Sequence, residues 1–408
     1  MADETPELRE RDITGLKYLD KLLPLLERLR DVGCGRDRAG NRKLHYDQYC
    51  MLVLLFLFNP TLRSLRALQQ ASRLKKVQRK LGCPRTSLGS LSEATDVFDP
   101  RRLEGIFGEL LAQVPARGSV GRGAVPHALT AVDGSVVKTL ASLAEAAYLS
   151  DKNGQSHSAW RFHTHFDIDR HVPTRMEVTV GVNSGKSEEK YHLRQRIEPD
   201  HCYVMDRWYA QFTLFNEIVA AGSSYVCRIR DNSNLSDVME ERPLSEAACN
   251  SHVLRDLVVT LGATCKAHSR PDHPVRVLWV QATPHQKTGG RKGGTAGPPS
   301  DGILRIATNL LDVPAEIIAD IYRHRWAIEL FFRFFKHVLG CRHLLSTDPV
   351  GIQIQAYCAI IACLLISLWT DGRPTLRSYE MVCLYLQGWA DLDELTAHLE
   401  SLPPHVAM

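Results

Sequence analysis

Apolar positions in this chain change their period along its length, and the changes divide it. Leu16, Leu19, Leu22, Leu23, Leu26 and Leu29 recur at helical steps, which predicts a helix over 16–30. A continuous apolar run over 49–58, closed by Asn59-Pro60, predicts a second helix. Short amphipathic helices are expected over 61–92, where Leu62, Leu65, Leu68, Leu74, Val77 and Leu81 interleave with polar residues. The pattern then alters. Residues 128–132, 160–168, 174–180, 201–205 and 224–230 are short strand-like runs, while 187–197 and 209–221 keep helical spacing. A mixed sheet flanked by helices, of the α/β class, is the fold these runs predict.

Further strand-like runs at 253–261 and 275–283 lead into a Gly/Pro-rich loop at 289–302, and a strand resumes at 303–308. The stretch IYRHRWAIELFFRFFKHVLG over 321–340 then reads as one helix, with Pro314 near its start and Gly340 as its stop. At about 100° per residue, Tyr322, Arg325, Glu329 and Lys336 fall within roughly 60° of arc, and Trp326 and Arg333 extend it. Ala327, Ile328, Phe331, Phe334, Phe335 and Val338 form the opposite, apolar face. The apolar run over 356–369 is shorter than a bilayer span and predicts a buried core helix, followed by a helical tail. RGSVGRG at 117–123 reads as a linker.

The chain of 408 residues has room for about two or three domains. Its formal charge of +4 is small, so the distribution of charge matters more than the total. Within 61–92 stand Arg63, Arg66, Arg73, Lys75, Lys76, Arg79, Lys80 and Arg85, with no acidic residue, a pattern suited to a phosphate backbone. Eleven cysteines without CxxC or zinc spacing, and no secretory leader, predict reduced thiols in a cytoplasmic protein.

Asp133 and Asp206 each follow a strand-like run, and Glu329 lies on a helix suited to pack across the same sheet. Three such carboxylates can hold two divalent ions as a clamp for in-line phosphoryl transfer. All-oxygen ligands suit Mg²⁺. The spacing of Tyr322, Arg325, Glu329 and Lys336, with VDG at Asp133 and MDRW at Asp206, resembles the DDE transposases of bacterial insertion sequences, in the group bearing the YREK signature. The resemblance runs from about residue 129 to about 365.

That resemblance implies an RNase H-like catalytic core in two parts, 124–232 and 303–370, interrupted by a β-rich insertion at 233–302. An all-helical DNA-binding region at 1–115 and a helical tail at 371–408, a possible oligomerisation element, complete the expected division. It implies Mg²⁺, with Mn²⁺ as a possible substitute, held by Asp133, Asp206 and Glu329 as the catalytic set. Tyr322, Arg325 and Lys336 would grip terminal phosphates, with Trp326 and Arg333 beside them. Expected partners are double-stranded DNA, as transposon ends and target, and a second copy of the chain assembled on that DNA; no membrane is expected, and the location is cytoplasmic, at the nucleoid. The alternatives are a nuclease of the same fold that cuts without joining, and a catalytically silent DNA-binding repressor. For Trp279, in the run VRVLWVQAT, the ordinary reading is a core residue of the insertion; the resemblance adds a second, stacking on a base flipped from a DNA hairpin.

Replacing Lys75, Lys76, Arg79 and Lys80 by Gln should weaken DNA binding and flatten the slope of log affinity against log salt by up to about 3–4, at roughly 0.9 per phosphate contact. An unchanged slope in salt-titrated gel shifts would make the cluster a solvated surface only.

Overall fold

The computed structural model describes residues 19–32, 43–116, 124–139, 147–150, 156–181, 185–233, 235, 237–262, 265–281, 302–341, 343–370 and 372–401. Leu16, the 117–123 linker and most of the 289–302 loop lie outside the described residues. The N-terminal part is helical: α1 (Leu19–Glu27), α2 (Leu29–Val32), α3 (Tyr46–Leu57), α4 (Leu65–Ala71), α5 (Lys75–Leu81), α6 (Leu88–Val97) and α7 (Arg102–Leu111). Local chemistry sets these boundaries. Ser64 and Ser87 cap α4 and α6 by accepting from the Ala67 and Ser90 amides, and Gly82, at φ +60°, ends α5.

A ten-stranded sheet follows. Its strands are β1 (Ala128–Thr139), β2 (Ala147–Ser150), β3 (Ser156–Asp167), β4 (Val172–Val180), β5 (His201–Met205), β6 (Ser224–Arg228), β7 (Asp237–Glu241), β8 (Val253–Thr260), β9 (Val275–Gln281) and β10 (Ile303–Thr308). The spatial order is β3, β1, β5, β6, β10, β9, β8, β7, with β2 and β4 both paired to β3. β5 runs parallel to β1 and to β6, and the other pairings are antiparallel. Strands β7 to β9 of the β-rich stretch therefore extend the same sheet beyond β10.

Helices cover both faces. Along β1 and β5, Leu129, Ala131 and Val204 belong to one buried cluster, and Val132, Tyr203 and Met205 to the other. That alternation is the period of a strand buried on both sides. The second cluster is closed by α8 (Glu189–Arg194) and α9 (Phe212–Ala220), through Leu193, Leu214, Phe215 and Ile218. The first takes α11 (Ala315–His324), α12 (Trp326–Arg333) and α13 (Pro349–Thr370) together with the N-terminal helices. A short helix, α10 (Glu246–Asn250), precedes β8, while α14 (Leu376–Gln387) and α15 (Leu392–Ser401) follow α13.

Helix α13 is the hub of the first cluster. It begins at Pro349, earlier than the predicted 356, and its 22 residues are long and apolar enough to cross a bilayer by length and composition; 89% of its most apolar window is buried in the protein. It packs on β4 along one side and on α3 and α7 along another. Gln353 accepts from the Val178 amide at 2.8 Å and donates to the Met176 carbonyl at 2.7 Å, which satisfies the free edge of β4. Tyr357 donates to Glu104 of α7 at 2.6 Å.

The predicted helix over 321–340 is longer and less regular than its sequence pattern implies. It starts at Ala315, is interrupted at Arg325, whose amide donates to the Tyr322 carbonyl, and widens into a π-turn at Phe334–Val338 before Gly340 ends it at φ +69°. Strand β1 also differs. It continues through Gly134 to Thr139, so Asp133 lies within the strand and not at its end, because residues 134–139 pair with β3 as a hairpin.

One ion pair is buried in the sheet. Arg276 of β9 meets Asp256 of β8 at 2.7 Å, both side chains only 4% exposed, and also donates to the Leu310, Leu311 and Val313 carbonyls ahead of α11. Asp256→Ala leaves that guanidinium without its anion and should destabilise the fold by about 3–5 kcal/mol. Denaturant unfolding that shows less than about 1 kcal/mol would remove the pair from the stabilising set.

Candidate active site

The parallel pairing of β1 and β5 matches Val132 with Met205. Asp133 and Asp206 are the next residues on the two chains, so register alone brings them side by side. Beyond that point β5 ends and a 3₁₀ turn begins at Arg207–Tyr209. The Asp206 carboxylate caps this turn by accepting from the Trp208 amide at 2.8 Å, and Asp133 accepts from the Gly134 amide at 2.8 Å.

Helix α12 lies against β1. Arg325 donates to Glu329 at 2.5 Å, and its guanidinium lies 5.9 Å from the centre of the Tyr322 ring. Arg325 and Lys336 both lie within electrostatic reach of Asp133, and Tyr322 of Asp206. The six residues Asp133, Asp206, Tyr322, Arg325, Glu329 and Lys336 are thus joined in one electrostatic network. Within it the carboxylates are not equivalent: Asp133 and Asp206 face each other, whereas Glu329 is engaged by Arg325.

Burial and the neighbouring Asp206 push the Asp133 carboxyl up to about 7, against the opposing pull of the Gly134 amide and Arg325. Burial also lowers the Lys336 ammonium from its ordinary range and pushes the Tyr322 phenol up to about 12. Two adjacent acids, one this costly to ionise, and an all-oxygen donor set fit a hard divalent cation. Among the described residues no three His, Cys, Asp or Glu side chains stand close enough to enclose a metal ion, and Glu329 is bonded to Arg325.

A fourth carboxylate, missed in the sequence, lies behind the pair. Glu189 of α8 is buried, is ion-paired with Arg161 of β3, accepts from Tyr209, and acts on Asp133. A Cβ on Gly134 would lie 2.2 Å from the Glu189 Oε1, so the glycine of VDG makes room for this side chain. The signal available was weak: a Glu opening a helix is ordinarily a dipole partner.

The other expected contact residues are dispersed. Trp326 is 41% exposed at the start of α12. Arg333 is exposed and lines a separate groove with His171, Phe334, Arg373 and Leu376. Trp279 is packed on the second cluster and flanked across the strands by Arg255 and Arg305, 5.0 and 4.8 Å from the ring centre. Lys75, Lys76 and Arg79 are exposed on α5, the helix that also carries Lys80.

The profile of the family described as "Transposase DDE domain" matches residues 126–365, more than half of the chain. This chain belongs to that family. The DDE domain thus spans every strand of the sheet, α11, α12 and most of α13. It is similar to a putative transposase, y4zB, of Sinorhizobium fredii, at 26% identity over 231 residues, 55% of this chain and 59% of that one. It is similar also to a probable transposase for insertion sequence element IS5377 of Geobacillus stearothermophilus, at 27% over 207 residues, 50% of this chain and 48% of that one. The chain therefore spans about half the length of these curated relatives. A cryo-EM structure of a piggyBac transposase synaptic complex with hairpin DNA aligns over 98% of this chain and 87% of that one, at 9% identity and a TM-score of 0.38.

The raised Asp133 pKa sets a pH dependence for the metal-free DDE domain. The folded state holds this proton up to about pH 7, whereas the unfolded chain releases it near 3.8. Stability should therefore fall as pH rises through that window and stay reduced above it. Asp133→Asn should flatten the fall and raise Tm above pH 7. Thermal melts in EDTA from pH 4 to 8 check this, and parallel curves for wild type and variant would contradict it.

Proposed function

We propose that this chain is an insertion-sequence transposase of the YREK group, which binds element ends, cleaves them by metal-dependent hydrolysis and joins the 3′-hydroxyl ends to target DNA. The observation that carries the reading is the β1–β5 register, which sets Asp133 beside Asp206 under Arg325, Lys336 and Tyr322. The sheet order supports it: β4, β3 and β1 are antiparallel and β5 and β6 parallel, the arrangement of an RNase H-like core.

Asp133 and Asp206 would hold a divalent cation, Mg²⁺ or Mn²⁺, which would supply Lewis acidity for the hydrolysis. Arg325 and Lys336 neutralise the phosphate flanking the cut, and the Tyr322 phenol, protonated at neutral pH, donates to it. As a phosphate takes the Arg325 guanidinium, Glu329 is released to complete the carboxylate set. On this reading the helices of 1–115 contribute sequence-independent DNA affinity through Arg63 to Arg85. The 124–232 and 303–370 parts form the core, 233–302 is the insertion, and 371–408 serves a homodimer assembled on DNA. The setting is the bacterial cytoplasm, at the nucleoid.

Asp133→Ala, Asp206→Ala and Glu329→Ala should each abolish cleavage of a duplex carrying the element's terminal repeats while leaving gel-shift affinity within a few-fold of wild type. Cleavage with no joining of pre-cut 3′-hydroxyl ends to plasmid DNA would instead identify a nuclease. Retained Mg²⁺-dependent cleavage in any variant would remove that residue from the site.

A further inference from the structure

The turn that follows Asp206 presents a side chain the catalytic reading does not use. Trp208 is 50% exposed, while its neighbour Tyr209 is buried and anchors the turn. Lys190 of α8 lies over the indole, 4.6 Å from the ring centre, and is itself tied to Glu188 at 2.9 Å. Trp208 and Lys190 border a groove of about 860 Å³, lined also by Asp206, Arg207, Arg230 and Asp231. Arg207 and Arg230 are both exposed there.

A tryptophan retained for packing is ordinarily buried, and a cation over an exposed ring adds little stability. Here the ring is braced on both sides of its backbone, by the Asp206 cap and by the buried Tyr209, yet its surface opens onto a groove wall in which Lys190, Arg207 and Arg230 outnumber the carboxylates Asp206 and Asp231, the latter ion-paired with Arg228 and Arg305. Phosphates are what such a wall recognises, and a flat aromatic surface between them recognises a base. Bases within a duplex present only edges, because their faces are stacked on each other. A base can meet the indole only when it is unpaired or swung out of the stack.

We propose that Trp208 is the stacking platform for an unpaired base adjoining the phosphate gripped by Arg325 and Lys336, with Arg207 and Arg230 on the neighbouring phosphates. This rests on the reading of Asp133 and Asp206 as the cleavage site. It makes the substrate of that site a DNA end or opened step, with at least one base out of the duplex.

The test uses the full chain in EDTA and a 30-base-pair duplex bearing a three-nucleotide dT overhang, beside the same duplex with three abasic sites in the overhang. Wild type should bind the dT overhang roughly 5- to 100-fold more tightly, the range of base–aromatic stacking. Trp208→Ala should abolish this preference and leave affinity for the abasic duplex unchanged, while Trp208→Phe should keep most of it. Equal wild-type affinities for the two duplexes overturn the proposal, and this comparison needs no variant to fold. A preference that survives in Trp208→Ala also overturns it. Mg²⁺-dependent cleavage by wild type, assayed in parallel, separates the two readings. Cleavage without overhang preference sinks only the stacking platform, and the lack of any DNA binding or cleavage sinks both.

Discussion

The pairing of Val132 with Met205 is the constraint on which the site depends. Two strands that are distant in sequence run parallel, buried over residues 129–132 and 202–205, and their register is held by side chains alternating between two apolar clusters. A slip of one residue would turn every buried side chain to the opposite face, so the register is strongly specified. The adjacency of Asp133 and Asp206 inherits that specification. No loop has to be ordered to bring the two acids together, and the energy that holds them there is hydrophobic.

Such placement has an electrostatic cost, which Arg325 opposes and the buried Glu189 adds to. On one side Arg325, just ahead of α12, and Lys336, in the π-turn after it, lie within electrostatic reach of Asp133; on the other, Glu189, paired with Arg161, fills the space that Gly134 leaves open. The Glu329–Arg325 bond is short-range and local, between residues four apart on one helix, whereas Arg276–Asp256 joins two strands and the segment leading into that helix. Strand, helix and buried charge thus fix the site from different directions.

Much of this was legible in the sequence because burial leaves a period. The strands at 201–205 and 303–308 follow directly from their apolar runs, and the helix expected over 49–58 runs over Tyr46–Leu57. Asp133 was read at a strand end because Gly134 looks like a stop, but β-branched residues beyond it continue the hairpin. β7, whose five residues are all exposed, carries no apolar pattern at all. The π-turn at Phe334–Val338 could not be seen, since a pattern counted at 100° per residue assumes the helix it is used to predict. Glu189 was missed for a different reason: its partner Arg161 lies on another strand, and only the fold puts the two together.

The burial of α13 has a consequence in time. Its residues, 349–370, leave the ribosome after α3, α7 and β4, the three elements whose apolar faces it covers. Until then those faces have no partner, and the nascent chain carries an uncovered first cluster beside a second cluster that α8 and α9 can already close. The first cluster can therefore be completed only once 349–370 has been made, whereas every residue of the second precedes that helix.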